Sequence, residues 1–121
     1  MHKVILVEDD KTMLSLIRAF LQIEGFNVVN LVSDLCLDEI VETIRHEQPA
    51  LVLLDVHLNQ LNGFDLLRSI RNEASLKSTR VLMCSGMELG MRCYEEGADG
   101  FILKPYMPEE LVEKIRQILG N

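Results

Sequence analysis

The chain has 121 residues, a net charge of −7 and 48% apolar side chains, which suits one soluble domain with a substantial core. The acidic charge and the lack of a basic stripe argue against direct nucleic-acid binding and against electrostatic attachment to a membrane. An odd count of three cysteines, with no Cys-x-x-Cys pair, indicates a reducing compartment. With no signal peptide and no bilayer-spanning run, we expect a cytoplasmic protein whose single domain covers residues 1–121.

Short apolar runs alternate with helical patterns five times along the chain. The runs predicted as strands are Val4–Val7, Val28–Val32, Leu51–Leu54, Val81–Cys84 and Phe101–Leu103. Because each run is continuously apolar, we expect parallel strands that are buried on both faces. The patterns between them then form crossover helices, which predicts an α/β domain with a doubly wound five-stranded parallel sheet.

The predicted helices carry recognisable start and stop signals. Gly25 follows the first helix, Pro49 ends the second, and Pro108 stands at the first position of the last. The fourth pattern, Leu89–Glu96, is the weakest because it is short and closely follows Gly86. We therefore predict a shortened fourth helix.

Polar groups follow four of the five predicted strands. In order along the chain they are Glu8-Asp9-Asp10, Asp55, Ser85 and Lys104. In a sheet of strand order 2-1-3-4-5, the first and third strands are neighbours. Glu8, Asp9 and Asp55 would then converge beyond the carboxyl ends of the strands, where such sheets bind ligands.

These residue types suit phosphoryl transfer. Clustered carboxylates repel one another and favour a bound cation, and a few oxygen ligands suit Mg²⁺ or, in its place, Mn²⁺. Asp55 can act as a nucleophile, while the Lys104 ammonium and the Ser85 hydroxyl contact phosphoryl oxygens. The simpler interpretation is that Asp9 or Asp10 caps the first helix and that the other groups are turn formers or solvated. Their joint placement at matching strand ends favours the phosphoryl site.

Four segments of the chain resemble the receiver domain of two-component response regulators. They are Val4–Asp10, Leu51–Asp55 with Gly63 beyond it, Val81–Gly86 and Gly97–Tyr106, the last being the most specific. The resemblance covers essentially the whole chain. It implies a flavodoxin-like (βα)5 fold of strand order 2-1-3-4-5, like that of chemotaxis regulators.

The resemblance implies a phosphoacceptor and a set of metal ligands. Asp55 would accept a phosphoryl group from a sensor histidine kinase or a histidine phosphotransfer protein. Asp9, Asp55 and the backbone carbonyl of His57 would ligate Mg²⁺, with Glu8 acting through a water. On this interpretation the domain takes part in a phosphorelay and is not an enzyme, since it catalyses only its own phosphorylation and dephosphorylation.

The resemblance also implies residues that sense the phosphoryl group. Ser85 and Lys104 would contact it, and Phe101 matches the switch aromatic, which changes rotamer on activation together with Ser85. The change would alter the surface formed by the fourth and fifth strand–helix units. That surface would control a partner protein or an output domain that is absent from this chain.

Two departures from the family pattern and one backbone feature complete the expectations. Asn59 stands where the family usually has proline, which predicts a looser loop. The segment between Ser85 and Gly97 is about three residues shorter than usual, which puts the usual partner geometry of the fourth helix in doubt. The Lys104–Pro105 peptide bond is predicted to be cis, because the chain must turn sharply there.

Three other classes of protein share parts of this pattern. A flavin carrier of the same topology needs a phosphate-binding loop after the first strand, where Glu8-Asp9-Asp10 would repel phosphate. An aspartyl-phosphate phosphohydrolase commonly has a second aspartate two residues after the nucleophile, where this chain has His57, and it needs a cap domain. A receiver-like binding module that is never phosphorylated in the cell stays open on the sequence alone.

Overall fold

The computed structural model describes residues 2–31 and 35–120, in which strands and helices alternate. The elements are β1 (Lys3–Val7), α1 (Lys11–Ile23), β2 (Asn27–Leu31), α2 (Leu37–Glu47), β3 (Leu51–Asp55), α3 (Gly63–Asn72), β4 (Arg80–Ser85), α4 (Gly90–Glu95), β5 (Gly100–Leu103) and α5 (Pro108–Leu119). A 3-10 turn at Ala74–Leu76 lies between α3 and β4. Val32, the predicted end of the second strand, lies outside the described residues. None of the described helices has the length and apolarity that crossing a membrane requires.

The five strands form one parallel sheet in the order β2-β1-β3-β4-β5, which confirms the predicted fold class. The strand order reverses beside β1, because β2 pairs with one edge of β1 and β3 pairs with the other. The central strand β3 is buried along its whole length, as its continuous apolar run predicts. The carboxyl ends of β1 and β3 therefore open into the same crevice.

Two apolar layers cover the sheet, one on each face. One layer joins Leu14 and Ile17 of α1 to Leu111 and Ile115 of α5. The other layer is contributed by α2, α3 and α4, with Phe64 of α3 among its largest buried side chains. Burying a large apolar side chain contributes roughly 1.5–3 kcal/mol, so these layers hold the strand ends in fixed positions.

Three sequence signals at helix ends are used in the structure, and the first supports the simpler interpretation of Asp10. The Asp10 carboxylate accepts a hydrogen bond from the backbone N–H of Met13 at 3.0 Å, so this residue caps α1. Gly25 adopts a φ of +96° just after α1, a conformation that glycine adopts without strain. Pro108 occupies the first turn of α5, and the Lys104–Pro105 bond is cis as predicted.

The fourth helix is short, as the sequence predicts, and begins and ends one residue inside the predicted Leu89–Glu96 pattern. It spans only six residues, and its N-cap, Leu89, makes no side-chain capping bond. The Glu88 carboxylate instead accepts a hydrogen bond from the backbone N–H of Gly90 at 3.0 Å. Its first and fourth residues, Gly90 and Cys93, are buried, and Cys93 is wholly inaccessible to solvent. This helix therefore depends on a few packing contacts.

We predict that α4 has the fastest amide hydrogen exchange of the five helices. Short helices are marginal without extensive packing, and α4 lacks the side-chain N-cap that stabilises the thirteen-residue α1. Exchange measured by mass spectrometry should show α4 exchanging before α1 and α5. Protection of α4 equal to that of α1 would contradict this account of its stability.

Candidate functional site

A lysine ammonium lies between two carboxylates in the crevice at the strand ends. Lys104 Nζ donates to Asp55 Oδ2 at 2.5 Å and to the two Glu8 oxygens at 3.1 and 3.2 Å. Both acids are nearly buried, with Asp55 6% and Glu8 9% exposed. Buried carboxylates are costly unless they are paired, so this ammonium compensates much of the charge at the site.

The backbone of β4 and β5 delivers Lys104 to this position. Ser85 pairs with Leu103 in the sheet, and the Lys104 N–H continues the ladder by donating to the Ser85 carbonyl at 2.8 Å. Ser85 itself is fully buried. Its Oγ accepts a hydrogen bond from the Met87 N–H at 3.0 Å, so the hydroxyl proton is available to another acceptor.

The carboxylate of Asp55 is oriented by the loop that follows β3. The His57 N–H donates to Asp55 Oδ1 at 2.9 Å, while Lys104 binds the other oxygen. Gly63 begins α3 directly against this segment: a Cβ there would overlap the Asp55 carbonyl and lie 2.8 Å from the Val56 Cα. Glycine at this position therefore permits the close approach of α3 to the end of β3.

Asp9 follows Glu8 after the end of β1 and is held by the same loop. Its Oδ2 accepts a hydrogen bond from the backbone N–H of Asn59. Proline, which the family usually has at this position, has no N–H to donate. Rather than simply loosening the loop, Asn59 thus supplies a direct link between the loop and Asp9.

The electrostatics of the crevice reflect its burial and its charges. Burial, together with the Asp55 carboxylate, raises the pKa of Glu8 to about 7, although Lys104 opposes the rise. Burial alone would lower the pKa of Lys104, but its hydrogen bonds to Asp55 and Glu8 hold that pKa above its ordinary value. The site therefore keeps a charged lysine beside a glutamate that resists ionisation.

Phe101 lies apart from the carboxylates, beneath the start of α4. Its side chain is 9% exposed, and a Cβ on Gly90 would approach the ring to 3.3 Å. The predicted site residues thus fall into two groups. Glu8 and Asp55 both contact Lys104, and the backbones of His57 and Ser85 are hydrogen-bonded to Asp55 and Lys104. Asp9 is bound by the loop after β3, whereas Phe101 lines a groove formed by Glu88, β5 and α5.

Cys84, predicted from the sequence only as the end of a buried strand, is a neighbour of the site. It is 1% exposed, as expected of a core residue, yet it pairs in register with Asp55. Its Sγ and one carboxylate oxygen from each of Glu8 and Asp55 all lie within 4.8 Å of one another. The sequence does contain one indication of this proximity: Cys84 immediately precedes Ser85, at the end of the strand predicted to lie next to the strand of Asp55.

We predict that ionisation of Glu8 destabilises the metal-free protein. The pKa of Glu8 rises from 4.5 to about 7 on folding. The loss of folding stability caused by ionising Glu8 is therefore absent below pH 4.5 and grows as the pH rises to about 7. Glu8→Gln removes this titration. In chemical unfolding with a chelator present, the free energy of unfolding of Glu8→Gln relative to wild type should therefore rise from about pH 5 to about pH 8.

The matched control is Glu113→Gln, which neutralises an exposed carboxylate on α5. Its stability relative to wild type should change little over the same pH range. A Glu8→Gln difference that stayed flat with pH, or that fell as pH rose, would contradict the account of Glu8.

A model of the response regulator receiver domain family matches residues 4–116. The transcriptional regulatory protein CpxR of Escherichia coli strain K12 is 37% identical over an alignment that covers 98% of this chain and 50% of CpxR. The chain thus spans about half the length of the curated relatives it matches.

Solved structures share the fold along the whole chain. The BeF3-activated N-terminal receiver domain of Klebsiella pneumoniae RstA is 30% identical, with a TM-score of 0.84 and coverage of 98% of this chain and 99% of that one. The receiver domain of sensor histidine kinase PA1611 from Pseudomonas aeruginosa, with magnesium in its active site cleft, is 22% identical and shows the fold alone. It has a TM-score of 0.84 and coverage of 99% of this chain and 98% of that one. With its sheet order, its strand-end residues and the match over residues 4–116, this chain belongs to the receiver domain family of two-component response regulators.

Proposed function

We propose that this receiver domain is a phosphoacceptor switch in which Asp55 receives a phosphoryl group in the presence of Mg²⁺. The observation that carries the proposal is the contact between Lys104 Nζ and Asp55 Oδ2, 2.5 Å long, inside a crevice that also holds Glu8. A carboxylate with a fixed ammonium beside it suits the capture of a group whose equatorial oxygens carry negative charge.

The acidic side of the crevice fits a hard divalent cation. Asp9 Oδ1 is buried and accepts no hydrogen bond from the described residues, so it is an acceptor that lacks a partner. Asp9 follows Glu8 in the chain and is bound by the loop that also orients Asp55. A buried, unpaired carboxylate oxygen there suits an ion that prefers oxygen ligands. Asp9, Asp55 and the His57 carbonyl would hold Mg²⁺, and Glu8 would act through a water. When bound, the ion supplies charge neutralisation on the phosphoryl oxygens.

The remaining groups of the site have complementary tasks. Asp55 Oδ1 accepts from His57 N, which fixes the carboxylate plane and leaves Oδ2 toward Lys104. On phosphorylation, Asp55 Oδ2 would form the new bond to phosphorus as the phosphorus–nitrogen bond of the donor phosphohistidine breaks and its imidazole leaves. Lys104 would then move its donors to a phosphoryl oxygen. The Ser85 hydroxyl, whose oxygen already accepts a hydrogen bond from the Met87 N–H, would donate a hydrogen bond to another phosphoryl oxygen.

Membership of the receiver family supports a proposal for the phosphodonor and for what the switch controls. The phosphoryl group would come from a phosphohistidine on a sensor kinase or on a phosphotransfer protein. Phe101 lines a groove of about 440 Å³ formed by Glu88, which precedes α4, and by residues of β5 and α5, so a change of its rotamer would change the surface there. Because CpxR is a transcriptional regulator about twice as long as this chain, the surface would control an output domain or a separate partner.

The proposal predicts that Asp55→Asn abolishes phosphorylation. A small-molecule phosphodonor with Mg²⁺ should add one phosphoryl group to the wild-type protein, as seen in the intact mass, because Asp55 is the carboxylate that Lys104 binds most closely. The Asp55→Asn variant should gain none. Excess chelator should prevent labelling of the wild type, since the three carboxylates repel the donor without a cation.

Asp65→Asn is the matched control. This aspartate lies on α3, pairs with Arg68 at 2.9 Å and has a 59% exposed side chain, so its loss should leave the labelling intact. Labelling of Asp55→Asn at the wild-type level would contradict the proposal that Asp55 is the phosphoacceptor. A wild type that is never labelled, by a small phosphodonor or by a phosphohistidine donor, would favour the receiver-like module that binds without phosphorylation.

A further inference from the structure

Cys84 places a thiol at the edge of the carboxylate site. Its side chain is 1% exposed, and its Sγ has no hydrogen-bond partner among residues 2–31 and 35–120. In-register pairing with Asp55 directs both side chains to the same face of the sheet. The Cys84 sulfur and the nearby carboxylate oxygens of Glu8 and Asp55 form a mixed set of metal ligands. A mixed sulfur–oxygen set suits softer metal ions than the all-oxygen set that includes Asp9.

The distances permit one ion to contact all three groups. Sγ of Cys84 and one oxygen each from Glu8 and Asp55 lie within 4.8 Å of one another, so a central point is at most about 2.8 Å from each. Zinc bonds to sulfur are about 2.3 Å and zinc bonds to carboxylate oxygens about 2.0–2.2 Å. Shifts of well under 1 Å per side chain would close the site around such an ion.

We propose that this crevice binds a thiophilic divalent cation, such as Zn²⁺, through Cys84, Asp55 and Glu8. The thiol gives its proton to solvent when the metal–sulfur bond forms, and the fourth coordination position is left to water. Mg²⁺ does not use this set, because it prefers oxygen ligands and a thiolate is a soft one.

Binding of this ion displaces Lys104. Its ammonium occupies the same carboxylate oxygens, and two cations do not share them. The Lys104 side chain is 22% exposed, so its flexible stem can carry the ammonium to solvent. This consequence rests on the proposed phosphoacceptor function: a metal bound to Asp55, with Lys104 expelled, blocks phosphorylation there. The domain would then be inhibited by thiophilic ions while it requires Mg²⁺.

The test uses Cd²⁺, a thiophilic ion whose bond to a thiolate absorbs in the ultraviolet. Titration of the wild-type protein should produce this charge-transfer absorbance with saturation at one ion per chain. Cys84→Ser should abolish the absorbance, and Glu8→Gln should keep it but weaken Cd²⁺ binding by at least about tenfold. Cys36→Ser, which removes the exposed thiol at the start of α2, is the matched control and should change nothing.

Three results would overturn the proposal. They are no absorbance in the wild type with Cd²⁺ in excess, a signal that disappears with Cys36→Ser, and a Cd²⁺ affinity that Glu8→Gln leaves unchanged. Phosphorylation by a small phosphodonor with Mg²⁺ is measured on the same samples before Cd²⁺ is added. A protein that binds Cd²⁺ through Cys84 but is never phosphorylated would remove the proposed function and leave the metal site standing.

Discussion

The contact of the Lys104 ammonium with Asp55 and Glu8 is the interaction on which the site depends. It joins the carboxyl ends of β1, β3 and β5, three strands whose residues are far apart in the chain. Without it, the nearly buried carboxylates of Glu8 and Asp55 would repel each other in a medium that screens them poorly. The apolar layers on both faces of the sheet hold these strand ends close enough for one lysine to bridge the two acids.

Most of the fold could be predicted because its signals are local and agree with one another. Continuous apolar runs, helix caps such as Asp10 and stops such as Gly25 act within a few residues, and each lies where the structure uses it. The strand-end carboxylates and Lys104 could be predicted to converge because parallel strands share one carboxyl edge. The shortened α4 followed from the length of its segment.

Other features could not be predicted because they depend on tertiary contacts. The hydrogen bond from the Asn59 N–H to Asp9 links positions fifty residues apart. From the sequence alone, asparagine in place of the usual proline therefore predicts only a looser loop and not this contact. The apolar run Val81–Cys84 predicts only that Cys84 is buried in a strand. Only the in-register pairing with Asp55 reveals that its sulfur faces the acids. The packing of Phe101 beneath Gly90 likewise requires the path of the shortened loop.

The central claim is that the Lys104 ammonium neutralises the carboxylate charge of Glu8 and Asp55, which would otherwise attract a divalent cation. Calorimetric titration of Mg²⁺ into wild type, Lys104→Met and the control Lys77→Met, an exposed lysine beyond the 3-10 turn, tests it directly. Removal of the ammonium leaves Glu8 and Asp55 uncompensated, so Lys104→Met should bind Mg²⁺ severalfold more tightly than wild type while Lys77→Met should match it. An Mg²⁺ affinity of Lys104→Met equal to or weaker than that of wild type would contradict the account.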